Sequence, residues 1–196
     1  MTEQETLERF DRTGAFLRGH FRLTSGLHSP EYLQCALVLQ HPPHAEELGR
    51  ELARRLTELV GKQPVRTVVS PAMGGLIIGH EVARSLGARF LFTERDESRQ
   101  MVLRRGFQVD PAETAVVVED VITTGGSSLE VIRLLARAGV NVLAAGSIID
   151  RSGGLADLGV PRAALATLRA VSYAEDECPM CRAGQPVLKP GSRSSS

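Results

Sequence analysis

The sequence is poor in several things at once. It has no tryptophan, aromatic residues make up only 4% of it, and its 23 basic residues are matched by 23 acidic ones. A formal charge of zero argues against a chain whose work is coating nucleic acid or an anionic membrane, since both roles draw on excess cationic charge, though the total says nothing about local charge. No apolar run approaches the ~20 residues that a membrane-spanning helix needs. Three cysteines (Cys35, Cys178 and Cys181) are too few for a disulfide scaffold and point to a reducing, cytoplasmic setting. The stretch from Met1 to Phe10 is acidic and polar, unlike a secretory signal or a transit peptide. Lysine is almost missing, with Lys62 and Lys189 alone among arginines.

What is present suits one α/β domain with a substantial core: 196 residues, 42% of them hydrophobic. Residues 3–14 read as a short helix with Leu7 and Phe10 on one face. Phe16 to Gln40, broken by Gly19, Gly26 and Pro30, reads as two short strands or a loop-rich lobe. His44 to Val60 is amphipathic, with Leu48, Leu52, Leu56 and Leu59 on one face. Then one theme repeats. Thr67–Ser70 is a β-branched run followed by Pro71-Ala72-Met73-Gly74-Gly75 and a helix over Leu76–Leu86. Arg89–Thr93 adds a short strand. Ala115–Val118 is followed by a Gly-rich turn and a helix over Leu129–Ala138, and Val142–Ile149 is another strand. Strands apolar on both sides, alternating with helices, imply a central parallel sheet flanked by helices. Ligands of such sheets sit at the carboxyl ends of the strands, where the Gly-rich turns fall. The expected division is a small hood at about 1–40, a core at about 41–170 and a frayed tail at about 186–196.

The chemistry concentrates in Val116-Val117-Val118-Glu119-Asp120-Val121-Ile122-Thr123-Thr124-Gly125-Gly126-Ser127-Ser128. A buried strand delivers two adjacent carboxylates to the sheet edge, and a loop of hydroxyls and glycines then opens a helix. Free N–H groups and the dipole at a helix start favour a phosphate, and glycine lets the backbone come close. No Gly-Lys-Ser/Thr occurs, which excludes a Walker loop. The acids precede the glycines, which excludes a dinucleotide fingerprint. Carboxylates beside a phosphate cradle repel it unless they address neutral groups of the same ligand, and vicinal ribose hydroxyls are such groups. The string therefore asks for a sugar phosphate.

This string resembles the phosphoribosyl-pyrophosphate motif of the type I phosphoribosyltransferases, and its wording is closest to the orotate branch. Phe21-Arg22-Leu23-Thr24-Ser25-Gly26 with His28-Ser29-Pro30 resembles that branch's substrate segment. Ser70-Pro71-Ala72-Met73-Gly74-Gly75 resembles its pyrophosphate loop, and Ile149-Asp150-Arg151 the strand end whose arginine holds orotate. The similarity is collinear over roughly residues 16–155. It implies the type I phosphoribosyltransferase fold with a hood from the amino-terminal segment, phosphoribosyl transfer to orotate, and a homodimer. Mg²⁺ is implied as a cofactor held mainly through substrate and water, with no metal ligand from the protein. Glu119, Asp120 and Arg95 take catalytic roles by the same resemblance. Glu119 to Ser127 (Val121, Ile122, Thr123, Thr124, Gly125 and Gly126 between them) bind phosphoribosyl pyrophosphate together with Arg95, and Thr123 and Arg151 contact orotate.

The sequence departs from the branch on the pyrophosphate side. Thr93 to Gly106 is shorter than the family loop and has neither lysine nor histidine. Arg95 is its best basic match; Arg99, Arg104 and Arg105 are substitutes for pyrophosphate contact, although Arg104 and Arg105 read equally well as a solvated hairpin. Thr24 and Gly74 stand where the branch commonly has lysine, and Tyr32 and Leu33 fall where aromatic residues cover orotate, a partial match that reads equally well as ordinary core. Cys178-Pro179-Met180-Cys181 has the spacing of half a zinc site. Neither Cys35 nor His20, His28, His41, His44 or His80 shows complementary spacing. The expectation is a reduced structural pair, unless a second subunit completes a site.

Overall fold

The computed structural model describes residues 1–23, 25–169 and 171–189. In chain order the elements are α1 (Glu3–Arg12), β1 (Phe16–Arg22), β2 (His28–Leu33), α2 (Cys35–Leu39), α3 (Pro42–Val60), β3 (Thr67–Pro71), α4 (Gly75–Leu86), β4 (Arg89–Arg95), β5 (Met101–Leu103), β6 (Thr114–Ile122), α5 (Gly126–Arg137), β7 (Asn141–Asp150), β8 (Arg162–Thr167) and α6 (Pro179–Arg182). Six strands form one sheet in the order β5-β4-β3-β6-β7-β8, parallel throughout except for β5, which runs antiparallel to β4.

Strand β6 lies near the middle of this sheet, and its side chains alternate between two cores as a strand requires. Val116 and Val118 join Leu48, Leu52, Leu56, Ile78 and Val82 on the side covered by α3 and α4. Ala115 and Val117 join Val131, Ile132 and Leu135 of α5 on the other. This explains why the strand is apolar at consecutive positions. It also sends the two acids that follow in opposite directions.

The sequence boundaries hold for most core elements and move elsewhere. Strand β8 leaves no signature in the sequence because Arg162–Thr167 is alanine-rich rather than β-branched, and β5 leaves none because three residues are too few for a period. Helix α1 opens with a capping box between Thr2 and Glu5. Its Phe10 is fully buried in the same core cluster as Leu33 of β2 and Leu48 of α3. The hood is the antiparallel hairpin β1–β2. A carboxyl-terminal segment closes over that hairpin. Arg22 N–H donates to the Leu188 carbonyl (2.8 Å), Leu188 N–H to His20 (2.8 Å), and His28 and Tyr173 exchange two backbone bonds of 2.8 Å. The tail expected to fray from residue 186 is thus tied at Leu188; residues 190–196 lie outside the described ones. Among the described residues no helix is long and apolar enough to cross a membrane.

Candidate active site

The carboxyl ends of β3, β6 and β7 meet where the sequence places its polar turns. Glu119 continues the odd-numbered face of β6 and reaches α5, where the Ser128 hydroxyl donates to Oε2. Burial pushes the Glu119 carboxyl up to about 7; the Ser128 hydrogen bond opposes this, and the neighbouring Asp120 charge adds to it. Asp120 takes the even-numbered face and leans over Gly74, the residue before α4. A Cβ on Gly74 would stand 2.5 Å from Oδ1 and 2.6 Å from Oδ2. Burial raises the Asp120 carboxyl as well, against a lowering bond from the Val121 N–H.

Between β6 and α5 the chain runs through exposed Thr123 and Thr124 to Gly125, whose φ is +80°. A Cβ there would also meet Leu158 Cδ2 at 2.6 Å, so both backbone and space require glycine. No side chain caps α5. Its first N–H groups therefore face the turn, the arrangement in which a helix start receives an anion.

Arg151 follows β7. Its backbone N–H donates to the Ile122 carbonyl (2.7 Å), which ties the strand end to the motif strand. The preceding Asp150 is buried, accepts from the Ser152 N–H (2.8 Å) and hydroxyl (2.6 Å), and pairs with Arg162. This network fixes the turn from which Arg151 projects. Burial lowers the Arg151 guanidinium pKa, partly offset by Tyr32 and Glu31.

A cavity of about 460 Å³ joins these parts. Asp120, Val121, Thr123 and Thr124 form one wall, Arg151 and Ser172 another, and the hood covers them with Leu23, Ser25, Leu27 and Tyr32. Burial raises the Tyr32 phenol, with Asp120 adding to the shift. A second, more open space of about 580 Å³ lies on the far side of Asp120's strand, lined by Ala72, Met73, Glu94, Arg95, Arg99 and Ser127. Together the two spaces offer a helix-start phosphate site, the Asp120 carboxylate and a guanidinium, which is the equipment for an anionic sugar and a planar acid.

Comparison with known proteins agrees with this geometry. Residues 38–158 match the family model described as "Phosphoribosyl transferase domain". An orotate phosphoribosyltransferase of Pelotomaculum thermopropionicum is 54% identical over 193 residues, covering 98% of this chain and 99% of its own. The chain belongs to the orotate phosphoribosyltransferase family. The enzyme of that name from Thermotoga maritima is 52% identical over 186 residues, covering 95% of this chain and 97% of its own. The crystal structure of the Aeropyrum pernix orotate phosphoribosyltransferase superposes with a TM-score of 0.67 at 28% identity, over 83% of this chain and 93% of that one.

Within this family frame the motif residues divide between the two spaces. Asp120, Val121, Thr123, Thr124 and Arg151 line the smaller cavity, Arg95 and Ser127 the larger. Glu119 lines neither and accepts from the Ser128 hydroxyl. Ile122 does not present its side chain there, because it is buried among α5 residues. Arg95 is held away from a free role, since its guanidinium forms two bonds to Glu130 (2.9 and 3.2 Å). Arg105 is likewise paired with Glu94 at 2.7 and 2.8 Å, whereas Arg99 lines the larger space. Gly74, at a position where lysine was expected from the branch, has no room for a side chain under Asp120. Thr24, the other such position, lies outside the described residues. Gln34 and Ser172 also line the smaller cavity, and no local motif around either marks it in the sequence.

The structure gives the cysteine pair neighbours that its sequence spacing does not show. Cys178 and Cys181 do have histidine companions: His20 and His28 of the hood converge on them, all four candidate donor atoms lying within 4.8 Å of one another. The spacing was unreadable because the two pairs come from opposite ends of the chain.

Proposed function

We propose that this chain transfers the phosphoribosyl group of phosphoribosyl pyrophosphate to orotate, releasing pyrophosphate and forming orotidine 5′-monophosphate in pyrimidine synthesis. One observation carries the reading: a single cavity is lined by Thr123 and Thr124 of the phosphate turn, by Asp120 and by Arg151. The phosphate turn takes the 5′-phosphate, and Glu119 and Asp120 accept from the ribose hydroxyls. Arg151 takes the orotate carboxylate in a two-pronged pair suited to a planar acid. The orotate nitrogen then bonds to the ribose carbon as the bond to pyrophosphate breaks. Cationic character on the ribose ring in the transition state is met by the two acids. Positioning and charge stabilisation supply most of the rate, with little need for proton transfer.

Mg²⁺ is part of this proposal. The site's oxygen donors are those a hard ion prefers, but Glu119 and Asp120 point to opposite faces of β6 and form no ready-made chelate. They fit an ion that would be held mainly through substrate and water, with the two acids as the protein's charges for it. Such an ion would neutralise the pyrophosphate as it leaves. Arg95 is proposed to serve the same pyrophosphate from the larger space, exchanging its Glu130 partner for the ligand. A homodimer is supported by Met73 and Ile77, an apolar pair 79% and 45% exposed beside that space. A cytoplasmic location is supported by three unpaired cysteines.

The test is a substrate screen with Mg²⁺ and phosphoribosyl pyrophosphate. Orotate should be consumed with equimolar pyrophosphate release, and Arg151→Ala should raise the orotate KM about 10- to 100-fold, the worth of a charge-assisted pair of ~1.5–3 kcal/mol. Turnover of adenine or hypoxanthine without orotate would overturn the reading.

A further inference from the structure

Four soft donors meet beneath the hood, away from the cavity walls. His20 Nε2 lies 2.8 Å from His28 Nδ1, 3.5 Å from Cys178 Sγ and 3.7 Å from Cys181 Sγ, and Cys181 Sγ is 3.2 Å from His28 Nδ1. His20, His28 and Cys178 are buried and Cys181 is half-buried, and neither thiol is in a disulfide. We propose that His20, His28, Cys178 and Cys181 bind one zinc ion, which fastens the carboxyl-terminal segment to the hood hairpin.

All six donor separations lie within 4.8 Å, and the four given above approach the edges of a tetrahedron. Zinc bonds of about 2.0–2.1 Å to nitrogen and about 2.3 Å to sulfur give edges of roughly 3.3 Å between two nitrogens and roughly 3.5 Å between nitrogen and sulfur. The three sulfur–nitrogen separations straddle that value, and the histidine pair needs to open by only about 0.5 Å. The donors are already oriented. His20 Nδ1 sits 2.9 Å from the Gln185 carbonyl. That bond requires the proton on Nδ1 and leaves the Nε2 lone pair facing the thiols, which is how outer-shell carbonyls fix a metal-binding imidazole. Two thiolates with two imidazoles select zinc over magnesium or calcium. Four protein ligands leave no open position, so the ion is structural and touches no substrate.

The site's place in the fold gives the ion a task. Two-stranded hairpins are marginal alone. Beyond its own ladder, β1–β2 is joined to the carboxyl-terminal segment by four backbone bonds around Leu188 and Tyr173. Both histidines belong to the hairpin whose connecting turn supplies Leu23, Ser25 and Leu27 to the cavity, and both cysteines belong to the segment that closes over it. An ion joining them sets the roof of the substrate cavity from outside. This inference stands whatever base the enzyme takes, because its first readout is metal content.

The experiment uses the full chain purified without a histidine tag. Elemental analysis should find about one zinc per chain after dialysis against a weak chelator. Cys181→Ser should lose it, while His80→Gln, at an exposed histidine elsewhere, should keep it. Cobalt exchanged into the wild-type chain should give the strong visible bands of a tetrahedral site and thiolate charge-transfer absorption. This measurement decides the matter even if the serine variant does not fold. Removing zinc with a strong chelator should lower Tm and raise the orotate KM more than it lowers kcat, with recovery on adding zinc but not magnesium. Less than a tenth of an ion per chain after loading with one equivalent, a folded Cys181→Ser chain with wild-type zinc, or a pale octahedral cobalt spectrum would each overturn the proposal.

Discussion

Gly74→Ala offers a way to move the Asp120 carboxylate without touching it. Gly74 has φ −57° and ψ −39°, angles that alanine adopts freely, so the backbone has no reason to rearrange. Stability should stay within about 1 kcal/mol of the parent, the range of a glycine-to-alanine change at a helix end. The new methyl would lie 2.5 Å from Asp120 Oδ1 and 2.6 Å from Oδ2. Ordinary carbon–oxygen contact is about 3.3–3.6 Å, so the carboxylate must retreat by roughly 1 Å. A displacement of that size at a positioned group costs about 10²-fold in rate, or about 2.7 kcal/mol. Initial rates of orotate consumption should therefore show kcat/KM for phosphoribosyl pyrophosphate down about 100-fold with an almost unchanged melting curve. If the loss acts through Asp120, adding Gly74→Ala to Asp120→Asn should cost much less than it does alone, since the two changes disable one group. Wild-type kcat/KM in Gly74→Ala, or full additivity in the double variant, would refute the account of Asp120.

Two further outcomes follow from the same geometry. The Glu119 carboxyl, raised to about 7 by burial, carries a proton below that pH and loses the negative charge with which it is proposed to accept a ribose hydroxyl. Thus kcat/KM for phosphoribosyl pyrophosphate should climb with pH to a plateau above about 7 and fall about tenfold per unit on the acid side. Ser128→Ala removes the bond that lowers this pKa and should move the midpoint upward, and a flat profile between about pH 5.5 and 8 would contradict it. Gly49→Ala should act on stability alone. Its Cβ would fall 2.4 Å from Glu81 Cβ and 2.9 Å from the Glu81 carbonyl carbon, forcing α3 off α4 at a cost of about 1–3 kcal/mol. Calorimetry should register a Tm lower by roughly 2–4 °C for each of these kilocalories, with KM values unmoved.

The parts of this protein that could be read from its sequence are those where neighbours in the chain do the work together. Val116 to Ser128 is one such part. A strand, a turn and a helix start are consecutive, so their chemistry is visible in a row of letters, and the structure keeps them adjacent at one sheet edge. The alternating β–α pattern is legible for the same reason, since each strand carries its own apolar signature. Strand β8 was invisible because it is recruited by its neighbour β7 rather than by its own alanine-rich composition. The Arg95–Glu130 pair and the contact between Gly74 and Asp120 join residues from different elements, and no local period marks them. The histidine–cysteine cluster is the extreme case. His20 and Cys178 are 158 positions apart, well beyond any ligand-spacing rule.

That separation has a consequence for how the chain acquires its shape. The hairpin roofing the cavity is made early, yet its backbone partners at Tyr173 and Leu188 emerge from synthesis after the whole sheet. Contacts closed over such long loops form late, because the chain must lose its freedom before they reward it. The layered core can assemble from residues up to Thr167 while the hairpin is still unanchored. Competence to hold substrate is then the last property to appear, and a nascent or clipped chain can look folded by its helices while its binding chamber has no ceiling.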